Sequence, residues 1–370
     1  MTADAARPAA PEPRTTTVDF HTAGTWPDIL AEAGAAVLVS TYQAGHVLAI
    51  NAAPEDPSGI ALSPHHLDRA MGVAVGEDRV AVAGRDQVWL LTEALGLAPR
   101  LDPPGAYDRA LLPRESRYTG PSQIHELAWG TPTGVGAPAG WWSQLWAVNT
   151  QFNALVGFDE AHHFVPRWMP PFIDAMVAED RCHLNGMAMR DGVPAYVTVM
   201  ARSNTVGGWR TDRNNTGTIL EVPSGEVVTT GLAMPHSPRL HDGDLYVLNS
   251  GWGRLERVDL ADGRRESVAA LPGYARGLAF AGGYAFVGLS RIRETSTFGG
   301  TPLAPFHDQL VCGVGVVDLR TGSTVATLSF DSTVEEIFDV QLLPHTRAVS
   351  LGNTAADGSE IWLLPAFGRR

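Results

Sequence analysis

The stretch ARGLAFAGGYAFVGLS at residues 275–290 joins a glycine-containing apolar run to a second, β-rich run through a GG turn. Five further stretches repeat this phrase: RAMGVAVGEDRVAVAG (69–84), IHELAWG with QLWAVNT (124–130 and 144–150), LNGMAMRDGVPAYVTVM (184–200), SPRLHDGDLYVLNS (237–250) and IFDVQLLP (337–344). A repeat of roughly 40 to 60 residues built of short strands is typical of a β-propeller, whose blades bury their faces against one another. The sequence therefore predicts an all-β fold with a single propeller domain.

The repeats also predict how the ring closes. Each phrase supplies the innermost and second strands of a blade, and a third apolar run follows most copies. The segment AVLVSTYQAGHVLAI at 36–50 matches a second and third strand, whereas FDVQLLP at 338–344 is an inner strand with weak followers. We therefore expect six blades, the last closed by one C-terminal and three N-terminal strands, which removes open sheet edges. A seven-bladed count that uses RAVSLGN (347–353) and IWLLP (361–365) is the alternative.

Composition limits the classes of function. A formal net charge of -13 argues against nucleic-acid binding, which needs clustered Lys and Arg. Two cysteines are too few for a disulfide framework, and no apolar run is long enough to cross a bilayer. The first residues lack an apolar signal core. We expect a cytoplasmic protein without membrane association, with a disordered tail at 1–16 and a propeller domain at 17–370; the sequence identifies no particular protein partner.

Propeller geometry predicts where function lies. The connection into each inner strand and the loop between the second and third strands open on one face, around the mouth of the central channel. The longest insertions on that face are 105–123, 201–217 and 290–310. Loops of this length inside a compact domain are usually functional or disordered. The mouth is therefore the expected binding site.

Polar residues at the starts of the inner strands are candidate catalytic groups. Alignment on the glycine column places His125 and Arg276 at one level, and Glu126 and Asp339 beside it, with Glu335 and Glu336 preceding the last inner strand. Mixed titratable groups in a concave site are what acid–base catalysis requires. In the predicted mechanism His125 with Glu126 activates water or polarises a carbonyl, while Arg276 holds an anionic group.

Three histidines on consecutive blades, His125, His183 and His236, are also candidate metal ligands. Imidazole suits Zn, Fe, Cu or Ni, and a nearby carboxylate can orient the ligands. The alternative is that these histidines only hydrogen-bond neighbouring loops. No nucleotide-binding motif is present, so no nucleotide cofactor is expected.

Further residues are candidate substrate contacts. Asn185 and Ser237 share the level of His125 in the repeat alignment, and the others lie at strand ends or in loops of the same face. The full set is Asn185, Ser237, Tyr42, Asn149, Trp209, Asn249, Trp252 and Arg291.

These residues together favour an enzyme that processes a small molecule by metal-assisted or His/Glu acid–base chemistry. Hydrolysis, isomerisation, cyclisation and elimination all fit, in a setting such as specialised metabolism. The alternative is a non-enzymatic propeller that binds a ligand or a protein. Aromatic residues around the mouth, Tyr42, Phe152, Trp209 and Trp252, could form a cage for such a ligand.

Several phrases resemble a bacterial family of conserved hypothetical propeller proteins with a domain of unknown function. They are STYQAG (40–45), IHELAWG with LWAVNTQFN (124–130 and 145–153), WMPPFIDAMVAEDRCHLNGMAM (168–189), MPHSPRLHDGDLYVLNSG (234–251) and YARGLAFAGGYAFVGLSRIRE (274–294). The resemblance covers roughly residues 36–345 and implies the fold but no activity. The architecture is more distantly similar to gluconolactonase-like and strictosidine-synthase-like propellers, whose ligands find no residue-by-residue match here.

Overall fold

A computed structural model of the protein describes residues 18–131, 141–291, 300–331, 333–352 and 359–365. Within these ranges the strands form six sheets, and the inner strand of each sheet contacts that of the next until the ring closes. The fold is the six-bladed β-propeller that the repeats predict. The tail expected at residues 1–16 lies outside the described residues.

The strands are numbered in chain order and grouped by blade, from the inner strand outward. Blade 1 contains β25 (Asp339–Pro344), β2 (Ala35–Thr41), β3 (His46–Ala52) and β4 (Ile60–His66). Blade 2 contains β5 (Val73–Val75), β6 (Arg79–Ala83), β7 (Gln87–Glu93), β8 (Arg109–Tyr118) and β26 (Val349–Leu351). Blade 3 contains β9 (Ile124–Trp129), β10 (Leu145–Asn149), β11 (Ala154–Gly157) and β12 (Val165–Trp168). Blade 4 contains β13 (Leu184–Arg190), β14 (Val193–Val199), β15 (Gly217–Glu221) and β16 (Val227–Leu232). Blade 5 contains β17 (Pro235–His241), β18 (Asp244–Asn249), β19 (Arg254–Val258) and β20 (Arg265–Ala270). Blade 6 contains β21 (Tyr274–Ala281), β22 (Tyr284–Ser290), β23 (Gly313–Asp318), β24 (Ser323–Phe330) and β1 (Phe20–Ala23).

Helical structure is sparse in the described ranges. The α-helix α1 spans Trp26–Ala33, and short 3-10 turns occur at Ala98–Arg100, Trp141–Gln144, Gly208–Arg210, Ser250–Trp252 and Ala304–Gln309. None of these described helices has the length and apolar character needed to span a bilayer.

The ring closes in blade 1 as expected. The C-terminal strand β25 pairs antiparallel with β2, which places Ala35 opposite Pro344 and Ser40 opposite Asp339. The seven-bladed alternative is wrong, because β26 adds to the outer edge of blade 2 in parallel with β8, and residues 361–365 form no strand. In blade 6, β1 adds to the outer edge through β24. These additions cover sheet edges that would otherwise present unpaired backbone groups.

Helix α1 lies across the closure. Its fully buried Trp26 donates from Nε1 to the carbonyl oxygen of Thr327 in β24, at 2.9 Å. Ile29 and Leu30 are buried in the core shared by blades 1 and 6, and burying each contributes roughly 1.5–3 kcal/mol. The helix ends at Gly34, whose φ of 59° lies in the left-handed region that favours glycine. The helix thus fastens the two ends of the ring together.

Glycines on alternate inner strands let neighbouring blades approach closely. A Cβ atom at Gly72 of blade 2 would lie 2.7 Å from the Cα atom of Glu126 in blade 3. At Gly277, where φ is +81°, a Cβ atom would lie 2.3 Å from the backbone nitrogen of Val340. Even alanine would force the inner strands apart at these positions. The glycine column of the sequence repeat is therefore a packing requirement of the channel.

The mouth is framed by connections between strands. Residues 169–183 connect β12 to β13, and residues 200–216 connect β14 to β15. The insertion expected at 105–123 is wrong in length, because Arg109–Tyr118 forms β8 and only residues 119–123 lead into blade 3. Residues 292–299, part of the insertion expected at 290–310, lie outside the described residues.

Candidate functional site

A cavity of about 430 Å³ opens at the mouth of the channel. The sequence candidates that line it are Tyr42, His125, His183, Trp209, His236 and Arg276. Asp180 and Glu336 also line it. We call this space the mouth cavity.

Arg276 is the buried cation of the mouth cavity. Its side chain is 8% exposed, and its guanidinium carbon lies 3.3 Å from the centre of the Phe338 ring. Nη1 lies 3.6 Å from Oε1 of Glu336, which is an ion pair but too long for a hydrogen bond. Among the described residues no acceptor hydrogen-bonds this guanidinium, which carries five N–H donors. Because Arg276 lines the cavity, those donors are available to an anionic group.

His125 and His236 are held in the same tautomer. The Nδ1 atom of each donates to the carbonyl oxygen two residues earlier, that of Gln123 at 3.0 Å and that of Met234 at 2.9 Å. A carbonyl oxygen only accepts, so Nδ1 carries the proton and Nε2 keeps its lone pair. Burial, reinforced by the charge of Arg276, holds the pKa of both imidazoles well below the usual range. Both rings are therefore neutral at pH 7.

His183 is oriented by a carboxylate. Its Nδ1 atom lies 2.7 Å from Oδ2 of Asp180, and the same oxygen accepts from Nε1 of Trp209 at 2.9 Å. The Trp209 ring is buried and packs against His183 with 4.3 Å between ring centres. The His183 ring also meets His125 edge-on, with 5.0 Å between centres. A carboxylate bound to Nδ1 fixes the ring with Nε2 as base and stabilises the charge gained with a proton.

Glu336 is the carboxyl beside Arg276 in the mouth cavity, whose charged lining also includes Glu179 and Arg210. Its side chain is 13% exposed. Burial raises the pKa of this carboxyl, and the nearby Arg276 opposes the rise. Glu336 therefore holds a proton to higher pH than a surface carboxyl does, which suits a proton donor.

The predicted catalytic residues Glu126 and Asp339 lie deeper in the channel and do not line the mouth cavity. Between them lies Arg239 of β17, whose Nη1 contacts Oε1 of Glu126 and whose Nη2 lies 3.9 Å from Oδ1 of Asp339. Burial raises the pKa of Glu126 to about 7 and also raises that of Asp339, and Arg239 opposes both shifts. The Arg239 guanidinium is thus the counter-charge of two buried carboxyls.

This cluster links all six inner strands. Glu126 accepts a hydrogen bond from the next blade, Asp339 accepts another from blade 2, and Arg239 donates one to blade 6, at 2.9–3.0 Å. Its members, one on each inner strand, are Val73, Glu126, Met187, Arg239, Leu278 and Asp339. We call this set the channel network. The channel network thus ties the six inner strands together around the channel axis.

Ser237 lies one step deeper than the repeat alignment predicts. Its φ is +48°, at a register shift between His236 and Arg239 in the pairing of β17 with β18. Its Oγ accepts from the backbone nitrogen of Gly277 at 2.9 Å, the same kind of link between blades that Glu126 makes. His236 takes the level of His125 instead, as their shared bond to the carbonyl two residues earlier indicates.

Three predicted asparagines do not line the cavity; their side chains hydrogen-bond neighbouring side chains and backbone. Oδ1 of Asn185 accepts from Oγ1 of Thr198 at 2.7 Å, and its Nδ2 is buried without a partner among the described residues. Oδ1 of Asn149 accepts from the nitrogen of Phe152 at 3.2 Å. Asn249 accepts from the nitrogen of Ala233 and donates to Glu256.

The last three predicted contacts are spread around the mouth. Trp252 is 45% exposed, lies beneath Arg254 and does not line the cavity. Arg291 is exposed and donates from Nη2 to the carbonyl oxygen of Phe330 at 3.4 Å. Tyr42 does line the cavity, with its ring centre 5.7 Å from that of Phe338.

The metal-ligand prediction finds no preformed cluster. Across the described ranges, no group of three or more His, Cys, Asp or Glu side chains is arranged to hold a metal ion. His125, His183 and His236 share one cavity, but each already uses Nδ1 for a carbonyl or a carboxylate. Metal binding at this site stays a prediction.

Two residues of evident importance are absent from the sequence-based set. Asp180 stands three residues before His183, on a connection whose path the sequence does not indicate. Arg239 could be identified from the sequence, because it is an arginine where the equivalent positions of other inner strands are the small residues Ala74, Ala188 and Ala279.

Comparisons with known proteins give a family match but no described activity. A family model described as "Domain of unknown function (DUF4915)" matches residues 24–351. The search of curated proteins gave no match. Among solved structures, a chain of a nidogen–laminin complex is 10% identical with a TM-score of 0.48, covering 84% of this chain and 99% of that chain. A protein of unknown function from Bacteroides caccae is 12% identical, with the same TM-score and coverage.

Proposed function

The chain belongs to the family described as "Domain of unknown function (DUF4915)", and we propose that its mouth cavity is the active site of an enzyme acting on a small anionic molecule. The family description names no chemistry, so the proposal rests on the side chains of the cavity. The reaction class is proton transfer next to an anionic group, which includes isomerisation, elimination, cyclisation and hydrolysis.

The surroundings of Arg276 carry this proposal. A guanidinium that is 8% exposed and has no hydrogen-bonding acceptor among the described residues is costly to bury. A ligand carboxylate could accept two parallel hydrogen bonds from it. With His125 and His236 held neutral by burial, Arg276 is the buried cation that would fix the charged end of the ligand, whereas the other arginine of the lining, Arg210, is exposed.

The pair of His183 and Asp180 supplies the base in this proposal. Nε2 of His183 takes a proton from carbon or water, and the Asp180 carboxylate stabilises the imidazolium through Nδ1. Glu336, whose pKa is raised by burial, returns a proton to the developing anion. Arg276 lies beside Glu336 and stabilises negative charge that develops next to the bound carboxylate.

A metal-assisted route would use the same histidines through Nε2. A proton on Nδ1 held by a carbonyl or carboxylate is also how metal-binding histidines are oriented. We favour the metal-free route because the described residues present no three-ligand cluster. Elemental analysis of the purified protein and of His183→Ala separates the two. A stoichiometric transition metal that is lost in the variant would assign the metal-assisted route.

Deuterium exchange tests the proposal without knowledge of the substrate. The probes are 2-oxobutanoate and related 2-oxo acids, whose C3 protons are acidic and whose exchange in D2O is followed by proton NMR. We expect the protein to accelerate exchange, His183→Gln to abolish the acceleration while binding persists, and Arg276→Met to abolish binding. Trp252→Ala, outside the cavity lining, is the matched control.

The outcomes separate the two functional classes. Binding that depends on Arg276, without exchange for any probe and without turnover of esters or lactones of these acids, would assign a non-enzymatic ligand-binding propeller. Binding that is insensitive to Arg276→Met would overturn the proposal itself.

A further inference from the structure

Beside the mouth cavity lies a second recess of about 720 Å³. Its apolar lining comes from Phe152, Phe164 and Pro121, and the two phenylalanine rings pack with 4.8 Å between centres. No Asp, Glu, Lys or Arg side chain of the described residues lines it. We call this space the apolar recess. Thr119, Ser122, His162 and His163 add polar groups to the lining, but its exposed surface is mostly apolar, which suits the uncharged part of a ligand.

Two residues border both spaces. Gln151 and Ala178 line both the mouth cavity and the apolar recess. Oε1 of Gln151 accepts from Nε2 of Gln123 at 2.9 Å, and Nε2 of Gln151 donates to the carbonyl oxygen of Ala178 at 2.7 Å. Gln151 therefore bridges the connections into blades 3 and 4 where the two spaces meet.

We propose that the apolar recess is a second subsite of the mouth cavity and holds the apolar chain of a ligand whose carboxylate binds Arg276. This inference rests on the proposed function and names its substrate class: an amphipathic carboxylate with an aliphatic or aryl-alkyl chain. The buried cation lies only on the mouth side of Gln151, so the charged end has one place to bind and the chain has the other.

Gln151 is the specificity-determining residue of this arrangement. Its amide hydrogen bonds hold the boundary in place, so a ligand chain must pass over an ordered polar edge. Gln151→Ala removes both bonds and widens the passage. We expect this variant to gain affinity for branched and aryl chains relative to straight ones.

Chain-length dependence of binding tests the subsite. Isothermal titration calorimetry with butanoate, hexanoate, octanoate and decanoate should show about a fourfold gain in affinity for each methylene that enters the recess. Ala161→Asp places a charge on an exposed residue of the recess lining. We expect it to remove the gain with chain length and to leave butanoate binding unchanged, whereas Arg276→Met weakens every member.

Phe152→Ser provides a second, uncharged disruption of the recess, and thermal melting verifies that each variant is folded. Trp252→Ala, which changes an exposed aromatic residue outside both spaces, should keep the full chain-length gain. Affinity that depends on Arg276 but is equal for all chain lengths would overturn the subsite and leave the proposed function standing. A chain-length gain that is insensitive to Arg276→Met would overturn both.

Discussion

Two arginines on the inner strands of adjacent blades have opposite surroundings. Arg239 on β17 contacts the Glu126 carboxylate and donates to the carbonyl oxygen of Leu278 at 3.0 Å. Arg276 on β21 has one ion pair, at 3.6 Å, and no hydrogen bond among the described residues. Their side chains are 17% and 8% exposed, so the less exposed arginine has fewer partners.

This difference distinguishes a structural cation from a binding one. Burial is similar at both positions, and hydrogen bonding is what separates them. A guanidinium that already satisfies protein acceptors has nothing left for a ligand, whereas one with unused donors at a cavity can bind an anion. The same criterion separates Glu126 and Asp339, which accept backbone hydrogen bonds from neighbouring blades, from Glu336 at the mouth.

Removing the structural arginine should have the largest effect. Arg239→Met leaves two buried carboxyls without a counter-charge, which should lower the free energy of unfolding by about 3–5 kcal/mol. Urea denaturation at pH 7 measures the loss. The matched variant Arg276→Met removes one ion pair, at 3.6 Å, but no hydrogen bond, and also relieves the cost of burying an unsatisfied guanidinium, so it should change stability by only about 1 kcal/mol. Equal losses in the two variants would contradict the comparison.

Replacing the binding arginine by lysine should have the next largest effect. Arg276→Lys keeps the charge but loses the paired N–H groups that match a carboxylate. The loss of one charge-assisted hydrogen bond is worth about 1.5–3 kcal/mol, so the Kd for 2-oxobutanoate should rise about 10- to 150-fold. Isothermal titration calorimetry measures it. Unchanged affinity would place the anion elsewhere in the cavity.

Much of the fold could be predicted because its signal is local and repeated. The closure through β25 follows from AVLVSTYQAGHVLAI, which has two strands and no inner one. The seven-bladed alternative fails because β26 pairs in parallel with the outside of β8. A short apolar run has the same appearance in the sequence whether it begins a blade or covers one.

The candidate site was predictable only in part, for a different physical reason. His125 and Arg276 follow from the repeat and both line the mouth cavity. The role of Glu126 depends on Arg239, 113 residues away in sequence, and no local pattern contains that contact. At Ser237, where φ is positive, the alignment is wrong by one residue: His236, not Ser237, lies at the level of His125.

The raised pKa of Glu126 predicts how the stability of the fold depends on pH. Glu126 has a pKa of about 7 in the folded protein, above its usual value, because burial favours the protonated form. Its contribution to stability is therefore full at acidic pH and is lost as pH rises through 7. Unfolding free energies measured between pH 5 and 8 should fall with a slope of up to about 1.4 kcal/mol per pH unit.

Glu126→Gln tests the origin of that slope, because it keeps an amide oxygen for the nitrogen of Met187 and removes the titration. Part of the slope should remain in this variant, since the pKa of Asp339 is raised in the same direction. The exposed Glu55→Gln is the control. A slope equal to that of the unmodified protein would show that Glu126 is already ionised at pH 5.

The smallest effect should come from the link between the two regions. Oγ of Ser237 accepts from the nitrogen of Gly277, the residue next to Arg276. Ser237→Ala leaves that buried donor unpaired and should cost about 1–3 kcal/mol of stability. The loss should lie at the lower end of this range if water from the mouth cavity reaches the donor. The exposed Ser267→Ala in β20 controls for the loss of a hydroxyl. Because the backbone beside Arg276 loses an anchor, we expect the Kd for 2-oxobutanoate to rise by no more than a few-fold, measured by calorimetry. A loss of affinity as large as that of Arg276→Lys would mean that the contact between Ser237 and Gly277 positions the binding arginine, and the inner strands and the mouth cavity would then be one functional unit rather than two.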